Sequence, residues 1–221
     1  MNELSSQVSD RLVEEFRKLY TSAVADVMCS LGHRSTIDPN IRPIFLGVKV
    51  CGRAMTIKMA PGRKGDQDLS EEAKAAVKKG DFVVVETGGN CEQTRWGENS
   101  TSAVRMRGAV SVVTDGACRD IAEHMRIRFP VYCRLISPGI RKGVLVTQAY
   151  NVPVTCGGVR VEMGDIVLGD DDGVVVIPKR IAEDILNKTQ AFAESDQKVK
   201  ALLLEGKPVQ EAYGAKKGAL G

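Results

Sequence analysis

The run Ala109-Val110-Ser111-Val112-Val113 carries no charge and only one polar side chain, and it constrains the fold more than any other stretch of the chain. A strand with one wet face alternates polar and apolar residues, so an unbroken run fits a strand covered on both faces. Helical sequence lies on either side of it. Upstream, Asn99 and Ser100 can cap a helix with Ala103, Val104 and Met106 that runs to about Arg107, where Gly108 stops it. Downstream, Asp115-Gly116 has the turn chemistry to end the strand, and a second short helix is expected near Arg119. Earlier still, Ser70 to Lys79 has acids in its first turn and lysines in its last, as a surface helix with a complementary dipole would; Gly80-Asp81 then turns into an apolar strand, Phe82 to Glu86. Two βα units in succession, Phe82 to Arg107 and Ala109 to about Met125, predict a parallel sheet in an α/β fold.

The flanking segments differ in character. Ser9 to Leu31 has helical spacing of Leu12, Val13, Phe16, Leu19, Val24, Val27 and Met28, closed by Gly32. Leu46 to Met59 is expected to form one or two strands broken at Gly52, and Pro61 to Asp68 a polar glycine loop without the order of a phosphate-binding loop. From Pro130 onward, short apolar segments at Val131–Ile136, Gly143–Thr147, Val152–Val154, Val159–Val161, Ile166–Leu168 and Val174–Ile177 suggest a second, mostly antiparallel layer. The acids Asp170-Asp171-Asp172 lack the spacing of a calcium loop and fit a tight turn. Pro178 opens a last helix, Lys179 to about Leu204. One domain over residues 1–205, followed by a flexible tail at 206–221, is the expected organisation.

Composition removes several classes of function. A net charge of +3 is too small to indicate nucleic-acid binding, and no aromatic-rich basic strand offers a base-stacking platform. The six cysteines form no C-x-x-C pair and fit reduced, mostly buried thiols of a cytoplasmic protein. The N-terminal stretch is charged where a signal peptide is apolar, and no stretch reaches the roughly 18 apolar residues of a membrane span. His33 and His124 lack any metal-ligand spacing, and Lys49 and Lys58 have no evident partner to activate them for Schiff-base chemistry.

The chemistry concentrates at two points. Gly97-Glu98 lies at the start of one predicted helix; twenty residues later come Arg119-Asp120 and then Glu123, at the start of the next. Helix starts that follow parallel strands share one edge of the sheet, where open α/β folds bind ligands, so the two clusters are expected to meet. Free amides at the Asn99 helix start would hold a carboxylate, with Arg119 clamping the same anion. Asp120 offers hard oxygen to Mg2+ or Mn2+. A small 2-oxo acid on a divalent cation is the chemistry this set suggests.

The pattern Gly97-Glu98-x20-Arg119-Asp120-x2-Glu123, with DGACRD inside it and GDDDGVVVIP at Gly169 to Pro178, resembles the RraA-like family over roughly Thr21 to Ile181. That family includes 4-hydroxy-4-methyl-2-oxoglutarate and 4-carboxy-4-hydroxy-2-oxoadipate aldolases and regulators of ribonuclease E activity. The resemblance implies a swivelling β/β/α fold of the phosphohistidine-domain type, trimers or pairs of trimers with sites between subunits, class II aldolase chemistry with a divalent metal, and oxaloacetate decarboxylation as a side activity. It implies Asp120 as the metal-site carboxylate, directly or through water, Arg119 on the oxo-acid end, Glu98 orienting a proton-handling water, and Gly97, Glu98, Asn99 and Ser100 presenting backbone amides to the substrate carboxylate. Asn99 and Ser100 stand where active aldolases of this type often carry leucines, which bears on substrate choice. A non-catalytic regulator that binds ribonuclease E or its helicase partner is the alternative.

Overall fold

The central β-strand of the molecule is longer than its sequence suggests. In the computed structural model, which describes residues 8–63, 65–139 and 145–214, strand β5 spans Ser111–Cys118, and every residue in it is buried. Asp115-Gly116 therefore does not end the strand, because the carboxylate of Asp115 finds donors inside: the amide and hydroxyl of Thr87 at 2.6 and 2.9 Å, and the amide of Gly89 at 3.0 Å. A buried charge with its acceptor positions filled is compatible with a sheet interior; an unpaired one is not.

Around β5 lie β3 (Asp81–Glu86) and β6 (Val131–Ile136), both parallel to it, and β2 (Val50–Pro61), parallel to β3. The expected parallel sheet is thus present. β4 (Thr94–Trp96) adds a short parallel partner to the end of β5. The short segments after Pro130 give the expected mostly antiparallel strands, hydrogen-bonded into the same sheet. β10 (Ile166–Asp170) pairs antiparallel with β2, β11 (Gly173–Ile177) extends that edge, and β7 (Leu145–Tyr150) pairs with the far half of β2, so all three enter the same nine-stranded sheet. Among the described residues only β8 (Val154–Cys156) and β9 (Val159–Val161) stand apart, as a two-stranded hairpin. β2 can serve so many partners because it is twelve residues long and runs straight through Gly52. A Cβ there would lie 2.6 Å from the carbonyl oxygen of Gly80, so glycine marks a close approach to the start of β3, not a break.

Side chains alternate across this sheet and feed two cores. Val83, Val85 and Val112 pack with Trp96 and Val104 beneath α3 (Ser70–Ala76), α4 (Glu98–Met106) and α5 (Ile121–Arg126). Phe82, Val84 and Val113 point the other way, onto Tyr132, Val167, Val176 and the β8–β9 hairpin. Both faces are covered, which is why the strands read as continuous apolar runs. The result is a mixed α/β domain with a nearly closed, barrel-like sheet and helices at both ends.

Those end helices pack together. α1 (Asp10–Lys18) and α2 (Thr21–Ser30) join α6 (Ala182–Leu204) over β10 and β11 through Phe16, Val24, Ile185 and Phe192. The single helix expected from Ser9 to Leu31 is split, since Leu19 and Tyr20 are extended. The cause lies 149 residues away: the buried carboxylate of Asp170 accepts the amide of Thr21 at 2.9 Å and its hydroxyl at 2.6 Å, capping a new helix start. Asp171 and Asp172 form the expected tight turn, with Asp171 also accepting the amides of Gly47 and Val48. After Gly206, α7 (Val209–Gly214) forms a further short helix with Ala212 buried; the remainder of the expected tail lies outside the described residues. Among the described residues no helix is long and apolar enough to cross a membrane.

Candidate active site

The two predicted polar clusters converge. α4 begins directly after β4, and its first residue, Glu98, donates its backbone N–H to the Asp120 carboxylate Oδ2 at 3.0 Å. The helix is therefore capped from Asp120, twenty-two residues away, with Gly97 at the cap position; Asn99 and Ser100, the expected caps, fall in its first turn. Gly97 lies against the pair so closely that a Cβ on it would be 2.6 Å from Asp120 Oδ2 and 3.1 Å from Arg119 Cγ. Only glycine fits there without displacing the carboxylate. The amide of Arg119 donates to the carbonyl of Trp96 at 3.0 Å, stitching β4 to the end of β5.

Asp120 is held in a left-handed backbone conformation, φ 60°, which aspartate tolerates better than most residues. Its carbonyl accepts three hydrogen bonds: the amides of Glu123 and His124 at 3.1 and 3.3 Å, and His124 Nδ1 at 2.8 Å. A carbonyl only accepts, so Nδ1 carries a proton, and Nε2 shares a hydrogen bond with the Thr101 hydroxyl at 2.7 Å. The Thr101 oxygen in turn accepts the Trp96 indole N–H at 2.9 Å. The fully buried His124 thus ties α5, α4 and β4 into one network beneath Asp120, a positioning role.

Above this base opens a cleft of about 250 Å³ lined by Gly97, Asn99, Ser100, Arg119 and Asp120. These are five of the six predicted site residues. Glu98 is exposed and outside the lining, between two residues that line it; its carboxylate contributes, after Glu123, to raising the pKa of Arg126. Glu123 pairs with Arg126, which holds its carboxyl below the ordinary range. Arg119 Nε stands 3.6 Å from Asp120 Oδ2, and both side chains are partly exposed. Within α4's first turn the amides of Asn99 and Ser100 donate to no group among the described residues, which leaves an anion site at the positive end of the helix dipole.

The opposite wall was not evident from sequence. It consists of Asp68 and Ser70 at the start of α3, Lys74 on that helix, Arg95 on β4 and Thr147 on β7, with Trp96 between the two walls. Burial works against the Asp68 charge, but the Thr147 amide at 3.0 Å and Arg95 at 2.7 Å outweigh it and hold the carboxyl below its usual value. Asp68 is the last residue of the polar glycine segment Pro61 to Asp68, and it lines the cleft. Cys118, beside Arg119, is fully buried; the neighbouring Cys133 thiol and burial push its pKa up, so it is an inert packing group. Lys49 sits over the Tyr20 ring at 4.0 Å and Lys58 is exposed, so neither strand lysine is desolvated for Schiff-base chemistry.

Asp120 can be tested as a cation ligand from its own contacts. Oδ2 is engaged by Glu98, whereas Oδ1 has no hydrogen bond among the described residues. No group of three or more His, Cys, Asp or Glu side chains that could hold a metal occurs among them. One spare hard oxygen in an open cleft fits a cation of the Mg2+ kind, which keeps most of its water and takes one or two carboxylates.

Known proteins place this geometry in a family. The RraA-like family (Aldolase/RraA) matches residues 21–176. The chain belongs to the RraA-like family. A relative from Halalkalibacterium halodurans, named "Putative 4-hydroxy-4-methyl-2-oxoglutarate aldolase", is 30% identical over 87% of this chain and 88% of its own length. RraAS2 of Streptomyces coelicolor, described as an unusual member of the RNase ES inhibitor RraA protein family, superposes with a TM-score of 0.78 at 29% identity, covering 86% of this chain and 95% of that one. An uncharacterised protein from Pseudomonas syringae pv. tomato shares the fold, with a TM-score of 0.86 at 22% identity over 94% of this chain and 95% of its own.

Proposed function

We propose that this RraA-like protein is a divalent-metal-dependent class II aldolase that cleaves a 4-hydroxy-2-oxo diacid, of the 4-hydroxy-4-methyl-2-oxoglutarate kind, to pyruvate and a second 2-oxo acid, and that also decarboxylates oxaloacetate. The observation that carries this reading is the single cleft in which unpaired helix-start amides, Arg119 and a carboxylate with a spare oxygen lie side by side. Relatives named as aldolases support it.

The substrate's 2-oxo acid end sits at the amides of Asn99 and Ser100, with Arg119 donating to the same end through its planar fork. When a divalent cation is bound, Asp120 holds it, and it supplies Lewis-acid stabilisation of negative charge on the oxo oxygen. Cleavage passes the proton of the C4 hydroxyl to the water oriented by Glu98 and breaks the C3–C4 bond; the bonding pair becomes the C2–C3 enolate, C4 becomes a carbonyl, and the same water can return the proton to C3. Arg119 stabilises the enolate charge where it develops. A proton delivered to C3 completes pyruvate. Glu98, exposed beside the lining, acts through a water and not by direct contact. Oxaloacetate loses its C4 carboxylate as CO2 and leaves the same enolate, so one site serves both reactions. Assembly as trimers or pairs of trimers belongs to this reading, and the exposed Leu135 and Ile136, paired with Ala117 and Cys118 just before Arg119, provide apolar surface next to the cleft.

A second reading, a regulator that binds a ribonuclease, is favoured by the similarity to RraAS2. Pyruvate release from oxaloacetate and from a 4-hydroxy-2-oxo diacid, with Mg2+ and then with a chelator, separates the two. The aldolase reading expects turnover with Mg2+ and its loss with the chelator; no turnover under either condition contradicts it.

A further inference from the structure

The cleft that Asp120 lines also has polar groups that the protein leaves unmatched. Arg95 donates Nη2 to Asp68 Oδ2 at 2.7 Å, and its side chain is 18% exposed, yet its Nε is buried with no partner. Thr147 is fully buried and its hydroxyl is also unpartnered. Both residues line the cleft, and so does Lys74, which forms no ion pair among the described residues. Buried donors without acceptors are uncommon in folded proteins and point to a group that arrives from outside.

Charge points the same way. The cleft carries three cations, Lys74, Arg95 and Arg119, against two carboxylates, Asp68 and Asp120. Asp68 does not depend on Arg95 for hydrogen bonding, because its Oδ1 already accepts the amides of Thr147 and Ser70 at 3.0 and 3.2 Å. Its pairing instead holds the Arg95 guanidinium in place in the cleft that Arg119 also lines. A monocarboxylate at Arg119 leaves Lys74, the Arg95 Nε and the Thr147 hydroxyl unmatched. A dicarboxylate matches these groups too.

We propose that Arg95, supported by Lys74 and the Thr147 hydroxyl and fixed by Asp68, forms the subsite for the second carboxylate of the substrate, and so determines preference for diacids over monoacids. This rests on the aldolase reading above, which puts the 2-oxo acid end at Arg119. The test compares kcat/KM for a 4-hydroxy-2-oxo diacid with that for a 4-hydroxy-2-oxo monoacid carrying methyl in place of the distal carboxylate, in the wild type and in Arg95→Met, Arg95→Lys and Lys74→Met. Losing a charge-assisted hydrogen bond to a carboxylate lowers the diacid-to-monoacid ratio about 10- to 100-fold in Arg95→Met. Arg95→Lys restores part of the ratio, and Lys74→Met lowers it by roughly threefold, as expected for a more exposed charge. Losses that fall equally on both acids, leaving the ratio unchanged, overturn the subsite while the aldolase reading stands. If Arg95→Met does not fold, an unchanged ratio in both Arg95→Lys and Lys74→Met overturns it equally. A wild type that cleaves neither acid overturns the aldolase reading, and the subsite with it.

Discussion

Asp115 and Asp120 are five residues apart on one strand and the turn that follows it, and they do opposite things. Asp115 is 4% exposed and its carboxylate accepts three donors from the loop after β3, so its charge is used up in joining two strands. Asp120 has a side chain 41% exposed, accepts one amide, and keeps an oxygen free above a network that fixes its backbone. Residue type does not distinguish a satisfied carboxylate from an available one. The count of satisfied lone pairs does, together with whether the remaining ones face a cleft.

Substitutions can break that contrast. The largest effect is expected from Asp120→Asn, which keeps the left-handed turn and an acceptor for the Glu98 amide while removing the charge: pyruvate formation falls about 10²–10³-fold, the size seen when one transition-state stabilising group is lost, and the melting temperature changes little. Asp115→Ala should do the reverse. It strands two buried donors on Thr87, each worth about 1–3 kcal/mol when unsatisfied, and the more exposed Gly89 amide, so thermal unfolding should shift down by roughly 4–24 °C without a change of comparable size in kcat. A stable Asp115→Ala protein, or an unstable Asp120→Asn one, would erase the distinction.

The smallest effect sharpens the contrast from the other side of the cleft, at Asp68. Its folded-state pKa is depressed, so its contribution to stability is present above the unfolded value near ~3.9 and is lost as pH falls through the lower folded value. Melting temperatures from pH 6 downward should therefore show a gap between the wild type and Arg95→Met that is constant above about pH 5 and narrows below about pH 4. A gap independent of pH would mean that Arg95 stabilises by packing alone.

Much of this could be read from the chain because local signals agreed with the final packing. The parallel strands Asp81–Glu86 and Ser111–Cys118 are apolar throughout since both faces are covered, and Gly108 stops α4 with a positive φ of 92°. The spacing from Gly97 to Asp120 placed two helix starts on one sheet edge, and they meet there. What was illegible depends on partners distant in sequence. Nothing near Leu19 announces a helix break, because the acceptor that causes it is Asp170. The Asp115-Gly116 dipeptide has turn chemistry, yet Thr87 and Gly89 make it a strand. The antiparallel strands β7, β10 and β11 carry no mark showing that the long β2 takes them into the main sheet. The cation wall of the cleft is assembled from α3, β4 and β7, three elements with no shared motif.

In the proposed reaction the Asp120 cleft generates the enolate of a 2-oxo acid. Exchange of pyruvate methyl protons with deuterium, followed by proton NMR in deuterated buffer with Mg2+, reads that step without any second substrate. The wild type should exchange them well above the buffer rate, the chelator should abolish the exchange, and Asp120→Asn should reduce it to near background. Exchange at the buffer rate by folded wild-type protein with Mg2+ present, or full exchange by Asp120→Asn, would contradict the account.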